Sequence, residues 1–120
     1  MKFDNKLPIY MQVVDDIRSR IVAGELHAGD KLPSSRELAL QYEINPNTAA
    51  RVYTEMEQRG ISYTKRGIGT FVTEDEERIM QLKEEMIEEV IKDFLERTRA
   101  LGLDQDKVVA YIKKYEEGRS

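Results

Sequence analysis

The sequence predicts a mainly α-helical fold with one small β-hairpin, and three observations predict it. Residues 33–60 carry two short helical patterns joined by a tight turn. Residues 61–72 combine strand composition with a basic, glycine-rich turn. A long stretch of helical apolar periodicity follows. At 120 residues and 40% hydrophobic content, the chain suffices for one domain with a small core, or one small domain plus an extension.

The first element is a long helix. Pro8 stands at its natural first position, and Tyr10, Val13, Val14, Ile17 and Ile21 recur at three- and four-residue spacing as one buried stripe. Gly24 ends it. Asp15 and Asp16 sit opposite the stripe as a solvated face, and Arg18 and Arg20 are expected on the surface. His27, the single histidine, falls in a loop before Gly29. One histidine without cysteine or a ligand cluster cannot hold a first-row metal.

A helix-turn-helix pattern comes next. Ser34 followed three residues later by Glu37 is a capping box, and Leu38, Ala39 and Tyr42 continue that helix. Asn45-Pro46 opens the second helix, with asparagine as N-cap and proline where no hydrogen bond is lost. It runs through Ala49, Val52, Tyr53 and Met56 to Gly60, a C-terminal stop. Asn47, Thr48 and Arg51 crowd the polar first turn or so. A recognition helix offers such residues to base edges in the major groove: asparagine can bond adenine bidentately, and threonine can meet a base or a thymine methyl. The competing reading of the two helices alone is an αα corner with a solvated polar turn.

The hairpin shifts that balance. Residues 61–65 and 70–72 read as its strands, and Lys65, Arg66, Gly67, Ile68 and Gly69 as its tip. Between Gln58 and Val72 stand three basic residues, Arg59, Lys65 and Arg66, and no acid. A basic hairpin directly after a recognition helix is a wing, placed to reach phosphates or the minor groove.

Taken together, Gly24-x-Leu26-x-x-Gly29-x-Lys31-Leu32-Pro33-Ser34-x-Arg36-x-Leu38-Ala39, then Asn45-Pro46-Asn47-Thr48, then Gly67-x-Gly69-Thr70-Phe71-Val72, resemble the GntR family of bacterial winged-helix repressors, in its short YtrA-like branch. The resemblance covers roughly residues 8–72. It implies DNA contact by Arg36, and by Asn47, Thr48, Arg66 and Gly67 at the recognition helix and wing tip. Many members carry arginines where this chain has Pro46 and Ala50. The candidate DNA-binding set is Ser34, Arg36, Asn45, Asn47, Thr48, Arg51, Lys65, Arg66 and Gly67.

Beyond Val72 the composition changes. Thr73 is the expected N-cap of a helix reaching about Ala100, with Glu74, Asp75 and Glu76 suited to its positive N-terminal dipole. Ile79, Leu82, Met86, Ile87, Val90, Ile91, Phe94 and Leu95 share one broad face. Gly102 stops the helix, and Asp104 caps a last one bearing Val108, Val109, Ile112 and Tyr115. Burying a side chain such as Leu or Phe is worth roughly 1.5–3 kcal/mol. A second copy of the chain is the natural cover for that face, which makes those eight residues the expected homodimer interface. The expected division is therefore 1–72 as a winged helix-turn-helix DNA-binding domain and 73–120 as a helical dimerisation region. An amphipathic membrane helix is disfavoured because the polar side carries Glu84, Glu85, Glu88 and Glu89, the wrong sign for anionic lipid. Glu88–Lys92 and Asp93–Arg97 at i,i+4 favour an ion-paired surface over a metal site.

The net charge of −4 does not oppose DNA binding, because the charge is segregated. Residues 1–72 hold 10 Lys+Arg against 9 Asp+Glu, whereas 73–120 hold 9 against 14. The absence of cysteine excludes disulfides and thiolate chemistry. Neither a signal peptide nor a bilayer-long apolar run is present, so a cytoplasmic location without membrane partner is expected. No nucleophile–histidine–acid set supports an enzyme, and no cofactor is implied. The functional expectation is a homodimeric transcriptional regulator, a repressor by resemblance, bound to a double-stranded, inverted-repeat DNA operator. The rival is a winged helix kept as a protein-interaction module. The 48 residues after the wing are too few for a large effector domain, which leaves only a small pocket at a dimer interface for any small-molecule effector.

Overall fold

The computed structural model describes residues 1–118. In chain order they form α1 (Ile9–Val22), α2 (Ser35–Tyr42), α3 (Pro46–Gln58), β1 (Ser62–Lys65), β2 (Gly69–Val72), α4 (Glu76–Ala100) and α5 (Gln105–Glu117). They divide into two compact units, Met1–Lys83 and the residues from Glu84 onward.

In the first unit the expected signals act where they stand, with small displacements. Pro8 is the N-cap of α1 rather than its first residue. Ser34 and Glu37 close the capping box at 3.1 and 3.0 Å, which satisfies two backbone N–H groups that a helix start leaves open. Asn45 caps α3 by accepting the Asn47 N–H at 2.8 Å. Glu43, at φ 54°, makes the left-handed turn between the two helices. Val13, Val14, Ile17, Leu38, Val52, Met56, Ile61 and Val72 are fully buried together beneath α2, α3 and the hairpin. Arg18 departs from expectation. It is 7% exposed and pairs with Asp15 at 3.3 Å, because the buried face of α1 is wider than the apolar stripe and takes in Gln12 and Arg18.

The wing is antiparallel, with Ser62 opposite Val72 and Lys65 opposite Gly69. It also has a third rail absent from the sequence reading. The Leu32 N–H donates to the Thr70 carbonyl and the Val72 N–H to the Asp30 carbonyl, both at 2.8 Å, and Lys31 bridges to Phe71. This pairing welds the segment before α2 to the hairpin. It also brings the Lys31 side chain across Gly69, where a built Cβ would lie 2.9 Å from Lys31 Cε. Gly69 takes φ 148°, a backbone that disfavours a side chain on its own account.

The start of α4 corrects two expectations. Its N-cap position falls to Asp75, whose carboxylate accepts the N–H groups of Glu77 and Arg78 at 3.0 and 3.2 Å; Thr73 instead accepts the Asp75 N–H. Leu82, expected on the dimer face, is 1% exposed and belongs to the core of the first unit, with Ile79 packed against that core. Arg78 reinforces the attachment by donating to the Arg59 carbonyl at 2.9 Å. The first unit thus closes at Lys83, beyond the hairpin at which the expected domain ends, because the first turns of α4 complete its core.

In the second unit, Gly102 (φ 79°) turns the chain and Asp104 caps α5 by accepting the Lys107 N–H at 2.9 Å. Val108 and Thr98 are its buried residues. Met86 and Leu95 are half-buried, while Ile87, Val90, Ile91 and Phe94 are exposed, as are Val109, Tyr111, Ile112 and Tyr115 of α5. A groove of about 450 Å³, walled by Ile91, Phe94, Leu95, Val108 and Ile112, runs between the two helices.

Two stability outcomes follow. Leu82→Ala should cost the first unit about 2–5 kcal/mol, the usual cost of emptying a buried leucine site, read as a lower denaturant midpoint. Gly69→Ala should cost about 1–3 kcal/mol through backbone strain, and the Lys31 side chain must also move aside. A Gly69→Ala variant as stable as the parent would show that the close crossing of Lys31 is not a constraint.

Candidate nucleic-acid interface

The site is built on α3, which packs against both α1 and α2. Its buried row is Ala49, Val52, Tyr53 and Met56. Helical spacing therefore turns Asn47, Arg51 and Thr54 to the opposite side, and all three are exposed. Thr48 is half-buried at the margin.

Two tyrosine hydroxyls lock the frame. Tyr53 donates from α3 to the Pro33 carbonyl, just before α2. Tyr42 donates from α2 to Asp16 on α1 at 2.6 Å. Burial, with the Asp16 carboxylate adding to it, raises the Tyr42 hydroxyl to about 12. Burial likewise raises Tyr53. Both phenols accordingly keep the proton they donate throughout the physiological range. Glu37 moves the opposite way: the Ser34 N–H it accepts holds its carboxyl below the usual range, so the capping box remains charged and closed.

The wing is fixed to the recognition helix by a further bond, from the Thr64 N–H to the Glu57 carboxylate at 3.0 Å. Its tip is the turn from Lys65 to Ile68, closed by the Ile68 N–H to the Lys65 carbonyl at 2.9 Å, with Gly67 at φ 77°. Arg66 is exposed there, and neither it nor Arg36 makes an ion pair among the described residues. The ammonium of Lys65 lies over two stacked rings, 5.9 Å from the centroid of Tyr63 and 5.4 Å from that of Phe71. Arg59, the third base of this stretch, is half-buried and pairs with Glu55 at 3.0 Å, so it serves the frame.

The structure brings Ser34, Lys65 and Gly67 to one groove of about 370 Å³ between the start of α2 and the wing. Arg36 is exposed on the first turn of α2, while Asn47, Thr48 and Arg51 lie along α3. The side-chain oxygens of Ser34 and Asn45 are already engaged as helix caps. Two residues escaped the sequence reading. Lys31 lines the same groove as Lys65, which follows from the pairing of its segment with β2. Tyr10, assigned only to the core stripe, lies with its ring beneath the Arg51 guanidinium at 4.0 Å. The basic residue at 31 was visible in sequence, but the register that carries it to the wing was not.

Among the described residues, no three His, Asp or Glu side chains converge as metal ligands, and no helix is long and apolar enough to cross a membrane.

Comparison with known proteins agrees with this arrangement. The profile described as "Bacterial regulatory proteins, gntR family" matches residues 9–72. The chain is 44% identical over 117 residues to the HTH-type transcriptional regulator YhcF of Bacillus subtilis, covering 98% of this chain and 97% of YhcF. It is 36% identical over 108 residues to the HTH-type transcriptional repressor YtrA of the same organism, covering 89% and 83%. Among solved structures, a GntR family transcriptional regulator from Listeria monocytogenes superposes with a TM-score of 0.87 at 44% identity, covering 93% of this chain and 98% of that one. A DNA-binding helix-turn-helix with a hairpin wing, matched through the family's own region and through nearly the whole length of two relatives, makes this chain a member of the GntR family of transcriptional regulators, not an enzyme.

Proposed function

We propose that the chain is a repressor that binds an inverted-repeat operator as a homodimer. The observation that carries the reading is the outward row of α3, Asn47, Arg51 and Thr54, set beside the exposed cations Arg36, Lys65 and Arg66. A polar helix face meets base edges, and flexible cations around it meet phosphates. In this reading Asn47, Thr48 and Arg51 enter the major groove. Arg36, Lys65, Arg66 and the Gly67 backbone hold the duplex, together with the capped starts of α2 and α3 at Ser34 and Asn45. The repressor sense is supported by the likeness to YtrA.

The dimer is supported by the second unit. Ile87, Val90, Ile91 and Phe94 are 45%, 65%, 49% and 40% exposed, a continuous apolar face at helical spacing. Solvent contact along such a face is unfavourable, and apolar surface of this kind marks an association site. Met86 and Leu95 flank it. Leu82, buried in the first unit's core, is left out of the proposed face, and Ile79, half-buried, packs against that core. The proposed division is a DNA-binding unit closing at Lys83 and a dimerisation unit beyond it.

A symmetric pair of recognition helices requires a symmetric site. Footprinting on the promoter of the chain's own operon should show an inverted repeat, with half-sites about one helical turn apart or a multiple of it. Arg36→Ala and Arg66→Ala should each weaken binding and reduce the slope of log affinity against log salt by about one unit. Asn47→Ala should instead erode the preference for operator over random DNA by about 1–3 kcal/mol. Parent-like binding by all three variants would remove the physical basis of the reading.

The dimer has its own test. Phe94→Glu should be monomeric by light scattering and should lose specific operator binding, while the first unit keeps its unfolding midpoint. A Phe94→Glu protein that remains dimeric would assign this face another role.

A further inference from the structure

The residues of α3 are PNTAARVYTEMEQ, in which Arg51 is the one cation and Glu55 and Glu57 are acids. How that single guanidinium is held therefore weighs heavily on what the helix can read. Arg51 is exposed, on the side of α3 opposite the buried row, and makes no ion pair among the described residues. What it does contact is an aromatic face: its guanidinium carbon sits 4.0 Å from the centroid of Tyr10.

Tyr10 is a firm seat. It stands in the first turn of α1 and packs, half-buried, against the main core. Two residues on, Gln12 is buried and ties down the segment that leads into the helix, donating to the carbonyls of Asp4 and Leu7, each at 2.8 Å, and accepting the Asp4 N–H at 3.0 Å. A long arginine side chain on a helix surface ordinarily samples many rotamers, and ordering it on binding opposes association. Seating the cation over a ring removes much of that freedom beforehand. The N–H donors of a guanidinium lie in its own plane, so a contact through the ring face leaves them for the O6 and N7 acceptors of a guanine.

We propose that Tyr10 is a positioning residue for DNA recognition: its ring pre-orders Arg51 to read a G·C pair in the major groove. This rests on the DNA-binding reading above, and the test separates the two. The full chain is incubated with a pool of duplexes carrying a randomised stretch, and the enriched sequences are compared among variants. Arg51→Ala should abolish the preference for a G·C pair at one position per half-site. Tyr10→Leu should weaken the preference at that same position about two- to fivefold, the effect of losing an exposed cation–π contact, and leave the other positions unchanged. Tyr10→Phe, which keeps the ring face, should retain the parent preference. In an Arg51→Ala background, Tyr10→Leu should change nothing further at that position.

Thermal unfolding of each variant accompanies the selection, and Tyr10→Met provides a second ringless side chain of adaptable shape should Tyr10→Leu not fold. The proposal is overturned if the ringless variants lower binding to all sequences alike, since Tyr10 would then serve packing alone. It is overturned equally if Tyr10→Phe loses the preference, because the hydroxyl would be the active group, or if Arg51→Ala alters no base position. A parent chain that enriches no sequence would instead bring down the DNA-recognition reading itself, and this inference with it.

Discussion

Burial of one side of α3 is the constraint on which the rest of the first unit depends. Ala49, Val52, Tyr53 and Met56 are all nearly or fully inaccessible. Burying a residue of the size of valine or methionine is worth about 1.5–3 kcal/mol, whereas differences in helix propensity among ordinary residues stay within about 0.7 kcal/mol. The rotation of α3 about its axis is therefore set by packing, despite the β-branched Thr48, Val52 and Thr54 in its sequence. Rotating the helix to bring Asn47 or Arg51 inward would expose this row and bury charge. The polar face is outward because the apolar one has nowhere else to go.

The frame around α3 is made of short polar links, each with its partner in place. Tyr53 to Pro33, Tyr42 to Asp16, Thr64 to Glu57 and Arg78 to Arg59 join separate elements. Such bonds add modestly to stability but fix geometry, since leaving a partly buried donor unmatched is costly. They make the wing, both short helices and the start of α4 one body. The exposed cations follow a different rule. Arg51 rests on Tyr10, and Lys65 on Tyr63 and Phe71, contacts that restrain a side chain without neutralising its charge. A surface that must attract a polyanion gains from this, because a carboxylate partner would cancel the field that a ring leaves intact.

The second unit follows the opposite logic. Its helices present more apolar surface than they cover, with Val90 and Tyr115 at 65% and 76% exposure. The acids Glu84, Glu88 and Glu89 are exposed too, and most of the acidic balance of the sequence falls in this region. Negative charge at the proposed DNA surface would repel phosphate. On a solvated helix face it favours solubility and leaves the neighbouring apolar residues to another role.

Much of this was legible in the sequence, because it rests on local chemistry. Capping boxes, Asn-Pro helix starts, glycine stops and three- and four-residue apolar spacing are interactions between neighbours, so the elements and the outward face of α3 could be placed from residue order. Arg36, Asn47, Arg66 and Gly67 were identified through motif and resemblance, and the structure places all four at the exposed starts of helices or at the wing tip. Tertiary structure decided what depends on who meets whom. Leu82 went to the first unit's core although its spacing matched the later apolar face, and Arg18 was drawn inward. The cap that passed from Thr73 to Asp75 and the i,i+4 pair of Arg59 with Glu55 are local contacts that the sequence reading missed. Lys31 reached the wing through a strand-like pairing that no periodicity announces, and Tyr10 met Arg51 across two helices 41 positions apart in sequence. Periodicity states that a side chain is buried or exposed; it carries no information about the partner, because that is fixed only when separate elements pack.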